Sequence, residues 1–235
     1  MSLRFACFVT GTDTEIGKTL ISAALLHHLA QRGLHCIGMK PVAAGVTLHD
    51  GVISNDDIDA LAAASNMTLP RSLTTPYLLR TPAAPHLAAA IDGVTMSIDH
   101  IVDCYAHLAT RAQAIVVEGV GGFCVPLSAQ ADTADLAQRL NLPVILVVGM
   151  RLGCLNHALL TAQAIRSRGL TLAGWVANCV PPEMPYATDS IATLAARLQA
   201  PLLGTVPILP LADAASAAHY ITPHLIAGWP ANEMR

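Results

Sequence analysis

Gly11-Thr-Asp-Thr-Glu-Ile-Gly17-Lys18-Thr19 is the stretch on which the fold of this chain turns. An apolar run, residues 3–10 (LRFACFVT), precedes it and reads as a buried strand. Residues 18–31 follow with apolar positions at 20, 21, 24, 25, 26 and 29, a helical spacing closed by Gly33. A glycine-bearing loop between strand and helix can turn its backbone N–H groups onto phosphate oxygens, and the helix N-terminus adds partial positive charge. Lys18 would reach the β- and γ-phosphates, and the Thr19 hydroxyl would ligate Mg²⁺. The spacing departs from the common form with four residues between the glycines. Thr12 stands where the first glycine is usual, and Gly11 comes one residue earlier.

Outward from this loop the same alternation repeats. Strands are expected at 35–40, 114–117, 144–148, 172–177 and 202–206, and helices at 57–64, 96–111, 133–140, 156–168 and 187–198. Residues 41–56 read as loop. Residues 68–86, with Pro70, Pro76, Pro82 and Pro85, read as irregular, and a Pro-rich tail follows 206. Strands with almost no polar residues that alternate with helices imply a three-layer α/β architecture: a parallel sheet with helices on both faces, P-loop NTPase-like. No linker or repeat divides the 235 residues, so residues 1–235 are expected to form a single domain.

Composition narrows the function. Apolar residues make up 53% and charged residues 12%, about half the usual charged share, which excludes disorder. A net charge of −3 argues against a nucleic-acid-coating surface. The longest apolar stretch, residues 142–150, is about half what a membrane-spanning helix needs. The first residues carry no signal-peptide pattern, so the mature chain is expected to start at or near Met1. The six cysteines show no C-x-x-C spacing and read as reduced, small, buried hydrophobes of a cytoplasmic protein. His100, Cys104 and His107 share one side of a helix with Asp99 and Asp103, a pattern better read as a solvated polar face than as a metal site.

The cations are informative. The chain has 11 arginines but only two lysines, Lys18 and Lys40. A compact ammonium suits a crowded phosphate where a guanidinium fork does not. Lys40 ends a strand before Pro41 and would stabilise a phosphoryl group leaving ATP; the alternative is a surface lysine in a loop. Glu118 ends the run Ala114-Ile-Val-Val-Glu118-Gly-Val-Gly-Gly122, where a carboxylate can hold Mg²⁺; the alternative is a solvated strand end. Asn178 ends a later strand and could meet a purine edge, although an Asn in a turn before Pro explains it nearly as well. Cys-Val-Pro at 179–181 departs from the Asn-Lys-x-Asp run that reads guanine, so adenine is expected.

With these motifs in place, the chain resembles the dethiobiotin synthetase family from about residue 8 to 207. VTGTDTEIGKT, KPVAAG, VEGVGG, PVILVVGMRLGCLNHALLTAQAI, LAGWVAN and PLLGTVP stand in the family's order. The resemblance implies an ATP-dependent cyclo-ligase that joins 7,8-diaminononanoate and CO₂ into dethiobiotin through a carbamate and a carbamic-phosphoric anhydride. It implies that Thr14, Glu15, Ile16, Gly17, Lys18, Thr19 and Leu20 belong to the ATP loop. Thr19, Asp57 and Glu118 match Mg²⁺ positions, with Asp56 an open alternative to Asp57. Lys18 and Lys40 match the catalytic lysines, and Glu118, Gly119, Val120 and Gly121 the phosphate and substrate pocket. Asn178, Cys179, Pro207, Ile208 and Leu209 match the adenine side. Lys40, Ala44, Gly153, Cys154, Leu155 and Asn156 match substrate positions, the last four across a homodimer interface at a helix N-terminus. Ala44 replaces a frequent Ser, and Cys179 a frequent Asp. Two other readings of the same motifs fit less well. A cobyrinate-type amide synthetase needs a glutaminase domain, for which 235 residues leave no room. A ParA/MinD-like ATPase switch carries an extra lysine early in the loop, where this chain reads Gly-Thr-Asp-Thr-Glu-Ile.

Overall fold

The computed structural model describes residues 2–49 and 52–231. The chain begins with β1 (Phe5–Gly11), α1 (Lys18–Gln31) and β2 (Cys36–Met39). Short pieces follow: β3 (Val42–Ala44), β4 (Thr47–His49), β5 (Val52–Ser54), α2 (Asp56–Ala64), α3 (Arg71–Thr74) and β6 (Tyr77–Leu79). Next come α4 (Pro85–Asp92), α5 (Ile98–Ala109), β7 (Ala114–Glu118), α6 (Thr133–Leu140), β8 (Val144–Met150) and α7 (Cys154–Ser167). The order closes with β9 (Leu172–Cys179), α8 (Ala187–Arg197), β10 (Leu202–Val206) and α9 (Ala214–Ala218).

Six strands form one parallel sheet in the order β10-β9-β8-β1-β7-β2. Strand side chains alternate between two cores. Cys7, Val9, Val116, Ile145 and Val147 face α1, α2 and α9, whereas Phe8, Ile115, Val117, Leu146 and Val148 face the helices on the other side. Both faces are therefore covered, and the strands can be apolar throughout, as the sequence pattern implies. After β1 the chain crosses to β2, returns to place β7 between them, and then passes β1 to β8. The carboxyl end of β1 is thus a switch point, where parallel sheets form their ligand crevice.

Two segments depart from the sequence expectation. Residues 41–56 are not loop throughout: β3 pairs in parallel with β6, and β4 pairs antiparallel with β5. Residues 68–86 hold α3 and β6 despite four prolines, because three sit at element boundaries and Pro82 lies in the loop between β6 and α4. Pro70 caps α3, Pro76 precedes β6, and Pro85 opens α4 at a position whose N–H needs no helical partner. The tail after β10 also carries structure. Ile221 bridges Gly204, and Trp229 meets Phe5 edge-on with ring centroids 4.8 Å apart.

The cysteine expectation is corrected in part. All six are free and four are buried, but Cys124 is exposed and Cys179 half-buried. Cys104 does not lie on a solvated face: it is 3% exposed, in the core, with its thiol toward the Ser72 carbonyl. Among the described residues, no group of three His, Cys, Asp or Glu side chains gathers to hold a metal. Nor is any helix among them long and apolar enough to cross a membrane.

Candidate active site

Gly11 ends β1, and α1 begins at Lys18, so the loop between them spans the switch point. Gly17 caps α1 with φ 85°, a left-handed conformation, and Glu15 is left-handed too, at φ 58°. The Ile16 side chain is fully buried between these two turns. It fills the space that side chains would take at Gly11 and Gly149. A Cβ there would lie 2.7 Å from Ile16 Cδ1 and 2.4 Å from Ile16 Cγ2, respectively. The loop is therefore seated on the ends of β1 and β8 by a hydrophobic peg.

Beside it opens a cleft of about 880 Å³. Thr14, Glu15, Gly17, Lys18, Thr19, Lys40, Ala44, Asp57, Val120 and Gly121 line it, so most of the expected ATP-loop, metal and lysine positions converge. Lys18 is buried and donates to the Asp13 carbonyl at 2.8 Å. Burial pushes its pKa down to about 8, and the nearby Lys40 charge adds to the fall. Lys40 is 3% exposed. Its ammonium lies 2.7 Å from Asp57 Oδ2 and donates to Gly119 O at 3.2 Å. Burial alone would lower its pKa, but the charges of Glu118 and Asp57 outweigh that and raise it. Asp57 is held below the usual carboxylate range, because Lys40 and the Thr19 hydroxyl overcome its partial burial.

Thr19 Oγ1 lies within donating distance of Asp57 Oδ1, at 2.6 Å, and of Glu118 Oε1, at 2.9 Å. One hydroxyl proton cannot serve both carboxylates at once. Glu118 is fully buried, and its Oε2 has no hydrogen-bond partner among the described residues. Two carboxylates, a hydroxyl and an orphaned carboxylate oxygen form a hard oxygen set. That set fits Mg²⁺, which binds through one or two carboxylates plus water and phosphate. Asp56 stands apart, exposed on the first turn of α2, so of the two adjacent acids it is Asp57 that joins the cluster.

Other expected positions lie elsewhere. Gly119 contributes its carbonyl to Lys40 but is packed against Phe8. Asn178 is buried and donates from Nδ2 to Ile16 O at 2.8 Å. Cys179, Pro207 and Ile208 line a separate cavity of about 300 Å³. Leu20 and Leu209 pack against the core cluster beneath α1. Gly153–Asn156 is not brought to the cleft within the chain. Gly153 and Asn156 are exposed at the start of α7, Leu155 is half-buried, and Cys154 points into the core. Sequence reasoning missed Val125 and the run Pro82–Pro85, and gave no separate role to Asp13 and Gly122 within the two motifs; all of them line the cleft. The two prolines around Ala83-Ala84 were the available signal, since they hold that segment rigid against the opening.

A family model described as an AAA domain matches residues 6–216. The ATP-dependent dethiobiotin synthetase BioD of Janthinobacterium sp. (strain Marseille) is 58% identical over 234 residues, 98% of this chain and 99% of that relative. Among solved structures, the MinD cell division protein of Aquifex aeolicus matches with a TM-score of 0.56 at 11% identity, over 94% of each chain. The septum site-determining protein MinD of Pyrococcus horikoshii OT3, complexed with Mg-ADP, matches with a TM-score of 0.54 at 17% identity, over 95% of this chain and 89% of that one. At such identities the structures show a shared P-loop NTPase-like fold and nothing further. The near full-length relative carries the assignment: the chain belongs to the ATP-dependent dethiobiotin synthetase family.

Proposed function

We propose that the chain is an ATP-dependent dethiobiotin synthetase that joins 7,8-diaminononanoate and CO₂ with ATP in one cleft. The observation that carries this reading is the meeting of both lysines, Lys18 and Lys40, with Thr19 and Asp57 around one opening beside the loop, with the buried Glu118 behind them in contact with Lys40 and Thr19. A neutral amine of the substrate attacks the carbon of CO₂ and loses a proton, giving a carbamate. A carbamate oxygen attacks the γ-phosphorus of ATP, and ADP leaves. The second amine then attacks the carbonyl carbon of the mixed anhydride, expels phosphate and closes the ureido ring, losing a proton. ATP is required because a carbamate has no adequate leaving group until it is phosphorylated.

Phosphoryl transfer asks mainly for positioning and charge neutralisation. Lys18 lies at the loop and neutralises the transferring group once it releases the Asp13 carbonyl. Lys40, charged by its two carboxylate partners, holds the carbamate oxygen toward the phosphate. Mg²⁺, held by Thr19, Asp57 and Glu118 when bound, neutralises phosphate charge. Ile16, Gly17 and Leu20 shape the loop and the start of α1, and Val120 and Gly121 give the substrate a close backbone wall. Ala44 bounds the diamine site.

The adenine is read as lying by Asn178, with Cys179, Pro207, Ile208 and Leu209 forming its outer side. Gly153–Asn156 is read as the carboxylate site for a partner copy, as its exposed helix start supports, which makes the working unit a homodimer. The free cysteines suit a cytoplasmic enzyme.

The test is a mass-spectrometric assay with 7,8-diaminononanoate, bicarbonate and Mg-ATP. Dethiobiotin formed in step with phosphate, and dependent on both substrates, is the expected result. ATP hydrolysis that ignores the diamine would overturn the reading in favour of an ATPase switch.

A further inference from the structure

The loop apex holds two left-handed residues, Glu15 and Gly17, on either side of Ile16. A left-handed non-glycine such as Glu15 persists only where its surroundings over-determine it. The Ile16 side chain is pegged between Gly11 and Gly149, a contact that fixes the side chain and gives the Ile16 carbonyl no partner. Among the described residues, the donor to the Ile16 carbonyl is the Asn178 amide, at 2.8 Å. Asn178 is 4% exposed, and its Nδ2 lies so close to Gly17 that a Cβ there would approach it to 2.3 Å. The acceptor fixes which end of the amide faces the loop, since a flipped side chain would set oxygen against oxygen.

We propose that Asn178 is a positioning residue for the phosphate loop. Its amide clamps the Ile16 carbonyl and holds the Glu15–Gly17 turn in its phosphate-facing shape before any nucleotide arrives. The clamp uses one of the two amide hydrogens, and the second hydrogen and Oδ1 remain for a purine edge. One side chain therefore joins the order of the phosphate loop to recognition of the base. The inference rests on reading Gly11–Thr19 as the triphosphate loop.

The probe is Mg-tripolyphosphate, which has the phosphates and no base. In Asn178→Ala its Kd rises about tenfold, the usual weight of one buried hydrogen bond, and Mg-ATP loses more. The Kd of 7,8-diaminononanoate stays within about twofold of wild type, a margin well inside the spread of a single hydrogen bond. Tripolyphosphate binding that is unchanged while Mg-ATP weakens confines Asn178 to the base and overturns the clamp. Equal losses for tripolyphosphate and the diamine mean general damage and overturn it too. Tripolyphosphate that fails to bind the wild-type chain overturns the loop reading and the clamp with it. An independent measurement needs no variant. In the nucleotide-free wild-type protein, one Asn178 side-chain amide proton exchanges slowly with solvent, and fast exchange of both overturns the clamp.

Discussion

The Lys40 ammonium lies 2.5 Å from Glu118 Oε1, and neither side chain meets solvent to any useful extent. Lys40 directly follows β2 and Glu118 ends the neighbouring strand β7, 78 positions away in the chain. A buried cation against a buried carboxylate is secure while both are present and costly when one is removed, because the survivor is left uncompensated.

Lys40→Ala is accordingly expected to abolish dethiobiotin formation, keep residual ATP binding, and lower stability by about 3–5 kcal/mol. Urea unfolding alongside the product assay checks both parts. Adding Glu118→Gln should recover part of the stability and none of the synthesis. Unchanged dethiobiotin formation in Lys40→Ala would remove Lys40 from the chemistry.

Lys18 gives a pH dependence with a definite sign. Its folded-state pKa, pushed down to about 8 by burial and by Lys40, lies below the ordinary 10.5. The charged form is thus disfavoured by folding. That cost is fully present below pH 8 and is relieved as pH rises from about 8 toward 10.5. Lys18→Met should therefore match or exceed the wild type in stability at pH 7 while losing ATP binding. In the wild type, phosphate restores the charge, so Mg-ATP affinity should fall as pH rises above about 8, with proton uptake on binding. Calorimetry in buffers of different ionisation enthalpy measures that uptake, and its absence above pH 8 would contradict the assignment.

Asp57 and Asp56 differ by one position and should differ greatly in effect. Asp57 touches Lys40 and Thr19, whereas Asp56 faces solvent. Asp57→Asn is expected to raise the Mg²⁺ concentration for half-maximal activity by about tenfold or more, and Asp56→Asn by less than about twofold. A Mg²⁺ titration of both variants decides it, and equal shifts would shift the metal role away from Asp57.

Gly149→Ala tests the peg beneath the loop from outside the cleft. The new Cβ would stand 2.4 Å from Ile16 Cγ2 and 2.8 Å from Ile16 Cβ, so Ile16 must move. The expected cost is about 1–3 kcal/mol of stability, with weaker ATP binding and unaltered diamine binding. ATP affinity that survives the substitution would mean the loop keeps its shape without the peg.

Glycine-lysine-threonine after an apolar strand, apolar strands alternating with helices, and two lysines in a chain of arginines were all legible in the sequence, because each is a local pattern. They suffice for the three-layer architecture, for the phosphate loop and for Lys18, Lys40 and Glu118 as candidates. The three-residue strands β3 to β6 escaped because such pieces are too short to show a period, and exist only through pairing. The partners inside the site escaped for a related reason. Thr19 meets Asp57 from 38 positions away, and Asn178 reaches Ile16 across 162. Such contacts depend on strand order and register, which no local stretch encodes. The sequence by itself thus determined which side chains could handle phosphate and metal. Only the tertiary structure decided that Asp57 rather than Asp56 meets Lys40, that Asn178 grips the loop, and that Gly153–Asn156 stands outside the cleft, because burial and hydrogen bonding are settled where distant segments meet.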